Sequence, residues 1–422
     1  MTILRLAWQS LTNRWLTAGL TLLAIAVSVM LLLSVEKIRS GARASFANTV
    51  SGVDLIAGAR TGNIQLLLSS VFHLGNANNS MSYRSYERIA AMPDVAWTVP
   101  ISLGDSHRGH RVIGTSSEIF TRYKYREDRA LAFREGKPFD GLFDVVIGAD
   151  VARKLNYAVG TELIIAHGTG TMITAEHSDL PFRVSGVLER TGTPLDRSLL
   201  TSLAAIEAIH INWQDGLPKQ GAPKMTPALA ERIIANRKPV AITAAMIGLR
   251  SPIATFKVQR AINTERREAL TAALPSLTLY ELWGVLGTAE QALLIVSLMV
   301  VVTSLLGMAT MILATLNERR REIAILRAMG AGPGTVLGLL VSEAMLLTIA
   351  GVAAGILLTY GALALAQPMI DRVYGIFIEI TPLTGWELSI LAAIIGGGLL
   401  VGLIPAIRAY RMSVADGMTV RA

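Results

Sequence analysis

The sequence predicts an α-helical membrane protein with four transmembrane helices and a large mixed α/β extracytoplasmic domain inserted between helices 1 and 2. Three observations predict this fold class. The 422 residues are 52% hydrophobic and only 17% charged, whereas soluble domains have roughly 25% charged residues. The apolar residues are concentrated in four long uncharged runs, and the mean hydropathy is +0.48. Between the first two runs lies a long segment of alternating strand and helix patterns.

Each uncharged run is long enough for a transmembrane helix, because a bilayer core of about 30 Å needs about 20 apolar helical residues. The runs cover residues 16–35, 291–316, 344–370 and 388–407, and we expect the third to extend back toward Gly334. The first run is longer than a signal-peptide core of roughly 7–15 residues and lacks a clear small-x-small cleavage site. We therefore expect it to be retained as a helix.

Lys and Arg in the short flanks of the runs indicate the orientation, because basic flanks resist translocation. Arg5 and Arg14 precede the first run, Arg319 begins a basic cluster after the second, and Arg408 and Arg411 follow the fourth. Both termini are therefore predicted to be cytoplasmic. The predicted segments are a cytoplasmic amphipathic segment (1–15), helix 1 (16–35), a periplasmic α/β domain of two lobes (36–290), helix 2 (291–316), a cytoplasmic coupling helix (317–333), helix 3 (334–370), a periplasmic loop (371–387), helix 4 (388–407) and a cytoplasmic tail (408–422).

The inserted segment has the pattern of a compact α/β domain, with β-branched or alternating runs bounded by Gly or Pro. Its Pro-, Gly- and Lys-containing stretch at 215–226 is predicted to separate two lobes. Predicted strands cover 95–103, 111–114, 144–147, 162–166, 182–188, 240–249 and 277–280; predicted helices cover 82–92, 149–155, 203–210 and 251–274.

An apolar stripe at helical spacing follows the first membrane exit. It has two interpretations. A stripe of this kind is ordinarily part of a domain core; the alternative is a surface for a lipophilic cargo, a partner or the membrane. Its residues are Leu66, Leu67, Leu68, Val71 and Phe72.

Several chemistries are excluded by missing motifs. The chain has no cysteine, so thiolate catalysis and Cys-ligated zinc are impossible. It contains no G-x-x-x-x-G-K-[ST], G-x-S-x-G or H-E-x-x-H motif, so we expect a non-catalytic chain that does not bind ATP through a phosphate loop. His107 and His110 have a spacing that can chelate a metal, but the further ligands would have to come from unrelated segments. We therefore predict no metal site.

The connection between the second and third runs carries the strongest functional signal. Arg320 and Arg327 are seven residues apart, so they lie on one face of a helix with Ile323 between them. Gly330 is placed as a C-cap, and Pro333 follows it. Aliphatic residues interleaved with arginines favour docking on a protein partner over a basic loop that lies on anionic lipid. The predicted docking residues are Glu318, Arg319, Arg320, Arg321, Glu322, Ile323, Ile325, Leu326, Arg327, Met329 and Gly330.

Glu343 is the ionisable residue inside the predicted spans. An acid at that position should face the helix bundle or a partner rather than lipid. It could take part in transport, or it could simply pair with an arginine such as Arg408 near the cytoplasmic interface.

Residues 321–331 (REIAILRAMGA), followed by Ser342-Glu343-Ala344, resemble the R-E-I-x-x-x-R-A-x-G-A and downstream E-A pattern of MacB/FtsX-like ABC transporter permeases. The ending around Pro405-Ala406 also resembles that family, and residues 144–160 with 182–188 resemble its periplasmic core. Residues 54–60 and 66–75 look like a subset in which the ATPase is a separate protein, as in the relatives that release lipoproteins.

This resemblance implies a permease in the bacterial inner membrane that works as a homodimer or heterodimer with separate ABC ATPase subunits. No cofactor is expected in this chain; ATP and Mg²⁺ are expected on the ATPase. The implied output is mechanotransmission to the periplasm for export or extraction of a lipophilic or bulky cargo. Membrane lipids and a periplasmic protein are candidate partners, and no nucleic acid is expected. The alternative is a metal-sensing or regulatory membrane protein whose periplasmic domain is a receptor.

Overall fold

The computed structural model describes residues 2–49, 51–75, 79–126, 128–168, 175–214, 217–218, 225–318, 325, 327–374 and 380–411. These residues form two compact units. The helical unit contains the described residues of 1–41, 287–370 and 378–422, and the inserted domain contains those of 42–286 together with the helix end at 371–374.

The described residues form twelve α-helices of four or more residues. They are α1 (Thr2–Asn13), α2 (Trp15–Thr49), α3 (Asn63–Ser70), α4 (Tyr83–Ala90), α5 (Ile119–Arg122), α6 (Ala149–Leu155), α7 (Leu203–Ile209), α8 (Pro227–Ile234), α9 (Thr255–Asn263), α10 (Pro275–Glu318), α11 (Pro333–Tyr374) and α12 (Gly385–Tyr410). Short 3₁₀ helices cover Pro194–Arg197 and Pro252–Ala254.

Four of these helices are long and apolar enough to cross a membrane: α2, α10, α11 and α12. Together with the mixed α/β domain between the first two, they confirm the predicted fold class. The helices are longer than the apolar runs from which they were predicted, because α2 and α10 continue through polar residues beyond the hydrophobic stretch.

Glycines allow close contact within the helical unit. A Cβ atom at Gly355 of α11 would lie only 2.8 Å from the Ala26 carbonyl oxygen of α2. Gly398 of α12 lies against the Thr348 side chain of α11 in the same way. Small residues at such contacts let helix backbones approach, which favours van der Waals packing between membrane helices.

The described strands of the inserted domain are β1 (Leu55–Ala59), β2 (Met81–Ser82), β3 (Val95–His107), β4 (His110–Thr115), β5 (Lys124–Tyr125), β6 (Arg129–Ala130), β7 (Phe133–Gly136), β8 (Asp144–Ile147), β9 (Glu162–Leu163), β10 (Ala166–His167), β11 (Ala175–Glu176), β12 (Phe182–Leu188), β13 (Ser198–Ser202), β14 (Trp213–Gln214), β15 (Leu217–Pro218), β16 (Ala241–Ile242), β17 (Ala244–Leu249) and β18 (Leu270–Ala273). Twelve of them form one mixed sheet, in the main order β18-β1-β17-β3-β4-β13-β8-β12-β7. In this sheet the β13–β4 and β12–β8 pairs are parallel, and the other pairs are antiparallel.

Two sequence predictions in this domain are wrong. Residues 277–280 were expected to form a strand, but they lie in α10, which starts at Pro275. Proline is favoured in the first turn of a helix, and short apolar runs fit either structure. Residues 251–274 were expected to be mostly helical, but α9 ends at Asn263 and β18 follows.

The predicted linker at 215–226 lies largely outside the described residues. The segments on either side of it pack together, since Ile209 of α7 and Ile234 of α8 share one apolar core. The chain after the linker then returns to the sheet, where β17 pairs with β3. Residues 42–286 thus form one compact unit, and the division into two lobes stays a prediction.

Candidate coupling segment and associated sites

The predicted docking helix lies between α10 and α11, and the structure describes only part of it. Arg319, Arg320, Arg321, Glu322, Ile323 and Leu326 lie outside the described residues, and Glu318 is the last residue of α10. Among the described residues, the Met329 amide donates to the Ile325 carbonyl at 3.0 Å and the Gly330 amide donates to the Arg327 carbonyl at 3.1 Å. Gly330 has a φ of +102°, a left-handed conformation that favours glycine at the end of a helix. Its predicted role as a helix stop fits this geometry.

Two apolar side chains of this segment are exposed. Ile325 is 52% exposed and Met329 is 73% exposed. Residues four apart lie on the same helical face, so the pair presents one apolar patch, with Arg327 half-buried between them in the sequence. An exposed apolar patch next to a basic residue suits contact with a protein or with lipid.

Glu343 lies on α11 and is only 5% exposed. Its neighbour Ala344 is fully buried, and a Cβ atom at Gly402 of α12 would touch it at 2.5 Å. The acid therefore faces the interior of the helical unit, as expected of an ionisable residue in a membrane span.

A buried ion pair that the sequence reasoning missed joins α2 to the start of α12. Lys37 Nζ lies 3.1 Å from Glu387 Oε2, and their side chains are 2% and 1% exposed. The ammonium group also donates to the carbonyl oxygens of Thr381 and Pro382, both at 3.0 Å. On the other side, Glu387 Oε2 accepts from the Thr384 amide at 2.7 Å, while the Glu387 amide donates to Thr384 Oγ1.

This second set of contacts is a capping box, in which the first residue of the motif and the residue three positions later satisfy each other's amide. The T-x-x-E sequence before an apolar run was a readable signal for it. The lysine partner had no comparable signal, because it comes from a helix some 350 positions away.

The apolar stripe is part of the core of the inserted domain. Leu66, Leu67, Val71 and Phe72 are buried, and Leu68 is half-buried against the same cluster. Phe72 packs against Phe46 with ring centroids 4.4 Å apart. These side chains therefore belong to the core of the domain, and their role as a cargo or partner surface stays a prediction.

His107 and His110 do not form the chelating pair that their spacing allowed. They stand opposite each other at the end of β3 and β4, but their rings take different partners. His107 Nδ1 lies 2.6 Å from the Ile164 carbonyl and its Nε2 lies 3.0 Å from the Tyr157 hydroxyl. His110 Nδ1 lies 3.0 Å from the Arg197 carbonyl. Burial lowers the pKa of both rings.

A cavity of about 570 Å³ lies within the inserted domain, and His110 is one of its lining residues. Its apolar wall includes Phe46, Phe72 and Leu74. Its polar wall is basic: Arg108, Arg111, Lys154 and Arg197 line it, and no acidic residue is among the described lining residues. The cavity thus combines an apolar wall with positive charge.

Sequence comparisons agree with the two parts of the structure. A family model for the MacB-like periplasmic core domain matches residues 18–265, and a model for the FtsX-like permease C-terminal matches residues 294–414. The macrolide export ATP-binding/permease protein MacB 1/2 of Paracoccus denitrificans is 24% identical over 430 residues, which cover 97% of this chain and 57% of that protein. The MacB protein of Nitrobacter winogradskyi is 23% identical over 421 residues, which cover 98% of this chain and 59% of that protein.

The chain therefore spans less than two thirds of the length of these relatives. Among solved structures, the periplasmic region of MacB from Actinobacillus actinomycetemcomitans matches with a TM-score of 0.32 and 8% identity, over 56% of this chain and 94% of that chain. The family assignment rests on the two sequence-family matches, the first of which covers more than half of the chain. The protein belongs to the MacB/FtsX-like family of ABC transporter permeases.

Proposed function

We propose that this protein is the permease subunit of a bacterial inner-membrane ABC transporter and that it couples ATP hydrolysis by a separate ATPase to movement of the inserted domain. The observation that carries the proposal is the exposed apolar patch of Ile325 and Met329 between two spanning helices. A single patch on a short helical turn that ends at Gly330 suits docking into a groove of a partner. The 422 residues contain no phosphate loop, so in this proposal ATP and Mg²⁺ bind an ATPase outside these residues.

Photocrosslinking in intact cells tests the docking assignment. A photoreactive amino acid at Ile325 or Met329 should capture a protein that carries a phosphate-loop motif, identified by mass spectrometry. The same amino acid at Ile253, which is highly exposed on the inserted domain, is the matched control and should not capture it. Capture of lipid alone from both docking positions would favour the membrane-lying loop over the ATPase interface.

A charge change then tests coupling. Arg320→Glu with Arg327→Glu should abolish stimulation of the captured ATPase in proteoliposomes, whereas Met329→Leu, which keeps the apolar contact, should preserve it. Stimulation that is unchanged in the double variant would reject docking at this segment.

The cargo side of the proposal rests on the basic, partly aromatic cavity of the inserted domain. An apolar wall next to four basic side chains suits an amphipathic anion, which is consistent with a lipophilic cargo. The buried stripe of Leu66 to Phe72 contributes one edge of this cavity through Phe72. Arg108→Glu with Lys154→Glu should reduce crosslinking of an anionic photoreactive lipid to the domain, and unchanged labelling would remove the cavity from the proposal.

A dimer of two permease copies, identical or different, and a periplasmic partner remain parts of the proposal. The metal-sensing alternative loses its original support, because His107 and His110 are engaged by separate partners. Any metal would need other ligands.

A further inference from the structure

Four side chains from four elements of the inserted domain converge on one point. They are Asp105 on β3, His167 on β10, His177 directly after β11, and His210 at the end of α7. Each offers one potential ligand atom, and these four atoms all lie within 4.8 Å of one another.

Backbone pairing brings them together. Asp105 and His167 are direct partners across the antiparallel β3–β10 pair. The register of β3 shifts between Leu103 and Asp105, and such a bulge redirects the side chains that follow it. The His177 amide donates to the Ile165 carbonyl at 2.9 Å. This bond holds the residue directly after β11 beside the start of β10, close to the other three side chains.

Three of the four ligand atoms have the spacing of a metal tetrahedron. Asp105 Oδ1 lies 3.2 Å from His167 Nδ1 and 3.4 Å from His210 Nε2, and the two histidine nitrogens are 3.1 Å apart. Zinc bonds of about 2.0–2.1 Å in a tetrahedron separate the ligand atoms by about 3.3 Å. His177 Nε2 lies 4.0 Å from Asp105 Oδ1, and all four ligand atoms lie within 4.8 Å of one another, so His177 would have to move closer to complete the tetrahedron.

A hydrogen bond at Nδ1 of His210 leaves its Nε2 available as a metal ligand. Its Nδ1 lies 2.8 Å from the Ile206 carbonyl oxygen, which can only accept, so Nδ1 carries the proton. In the neutral ring, Nε2 then turns a lone pair toward the Asp105 carboxylate, which is also an acceptor. At 3.4 Å, these two acceptors need either a proton or a metal ion between them. A backbone carbonyl that fixes the tautomer in this way is the usual outer partner of a metal-binding histidine.

His177 points to the same conclusion by another route. Its side chain is only 2% exposed. The Ile209 carbonyl lies near the ring, but among the described residues no group meets the distance and angle limits of a hydrogen bond to either ring nitrogen. Trp213 packs against its face with ring centroids 4.0 Å apart. A buried polar group without a protein partner is rare in folded proteins, and a bound ion is one of the species that can satisfy it.

We propose that Asp105, His167, His177 and His210 bind one Zn²⁺ ion. Three neutral imidazoles and one carboxylate suit zinc in both donor type and number. All four positions of the tetrahedron are filled by the protein, which is typical of a structural rather than a catalytic site. The ion would tie β10 and the segment after β11 to β3 and to the end of α7. His167 and His210 are about one third exposed, so the ion has access from solvent.

Zinc titration of the full-length protein in detergent tests the site. The protein carries a histidine-free tag and is first stripped with EDTA. Calorimetry and elemental analysis should find one Zn²⁺ per chain, and Co²⁺ should give the intense visible absorption of a tetrahedral site. Asp105→Asn, His167→Gln and His177→Gln should each weaken zinc binding by on the order of tenfold or more. His107→Gln with His110→Gln is the matched control in the same domain and should bind zinc like the wild type.

Two outcomes overturn the proposal. The first is that the wild-type chain binds no stoichiometric zinc, which is expected if Asp105 and His210 form only a protonated ion pair. The second is that the cluster variants bind zinc as fully as the wild type. Because Asp105 is buried, its variant could fail to fold; His167→Gln, at a partly exposed position, then carries the test. Hydrogen exchange adds an independent measurement: Zn²⁺ should slow exchange at residues 165–168 and 175–178 in the wild type and not in His167→Gln. None of these measurements involves the ATPase, so they stand or fall separately from the proposed coupling.

Discussion

The ion pair between Lys37 and Glu387 should be a strongly coupled contact in the helical unit. Both side chains are buried, with Nζ and Oε2 3.1 Å apart. Lys37→Met removes the positive charge and leaves the Glu387 carboxylate buried with the amide of Thr384 as its described donor. Breaking one side of a buried pair destabilises a protein by about 3–5 kcal/mol, because the remaining charge loses its compensation.

The double variant Lys37→Met with Glu387→Gln should behave differently. It removes both charges and keeps the shape of the second side chain, so no buried charge is left. Replacing a whole buried ion pair by uncharged residues is often nearly neutral. We therefore expect the double variant to be within about 1–2 kcal/mol of the wild type, and more stable than Lys37→Met alone.

Equilibrium unfolding by SDS titration in mixed micelles, for the wild type, both single variants and the double variant, gives the coupling free energy of the pair. Lys257→Met is a useful control, since Lys257 is 77% exposed in its own ion pair with Asp94. If the destabilisation of the double variant equals the sum of the two single ones, the two charges are not coupled and the reasoning from burial is wrong.

Three further predictions can be checked separately. Burial lowers the pKa of His73 from 6.5 to about 3, and nearby Arg111 makes a smaller contribution. The folded state therefore binds fewer protons than the unfolded state. As the pH falls below about 6.5, the free energy of unfolding should decrease, by about 2 kcal/mol at pH 5. Hydrogen exchange of the inserted domain at pH 7 and pH 5 measures this loss, which should be smaller in His73→Gln; an equal loss in both would exclude His73 as its source. Gly355→Val should destabilise the helical unit by about 1–3 kcal/mol through overpacking. Gly361→Ala should be tolerated, because a Cβ atom at Gly361 has no other heavy atom within 4 Å. Thermal melting in detergent compares the two variants, and equal melting temperatures would contradict the close contact at Gly355. A reporter that is active only outside the cytoplasm, fused after Gly168, should be active; an inactive but expressed fusion would reverse the predicted topology.

Local patterns predicted the structure well where the signal itself is local. The uncharged runs predicted the four long helices. The helix predicted to begin at residue 82 is present as α4, and the Ser82 hydroxyl caps it by accepting from the Ser85 amide. The strands at 144–147 and 182–188 have the predicted bounds. The position of Gly330 also followed from sequence, because a left-handed residue after a helical turn requires a specific residue type.

Non-local pairing explains what the sequence did not predict. Strand β18 is defined by its partner β1, with Ala273 opposite Ile56, and nothing in residues 270–273 alone separates a strand from a helix. The histidine cluster also depends on pairing between distant parts of the chain. His107 and His110 attracted attention because they are neighbours in sequence, whereas the four-residue cluster brings together positions up to 105 residues apart in the chain. Spacing along the chain is informative about one helix or hairpin, but not about ligands that a sheet collects.

The pairing of β1 with β18 also has a mechanical consequence. The first strand of the inserted domain and the last one are antiparallel neighbours, and Ile56 near the start of β1 lies opposite Ala273 at the end of β18. The polypeptide therefore enters and leaves the domain at the same end of one strand pair. A force that draws these two ends apart would act first on the Ile56–Ala273 residue pair. The two strands would then separate one residue pair at a time. Two strands pulled apart in this way resist the force far less than two strands pulled in opposite directions along their length, where all the hydrogen bonds share the force.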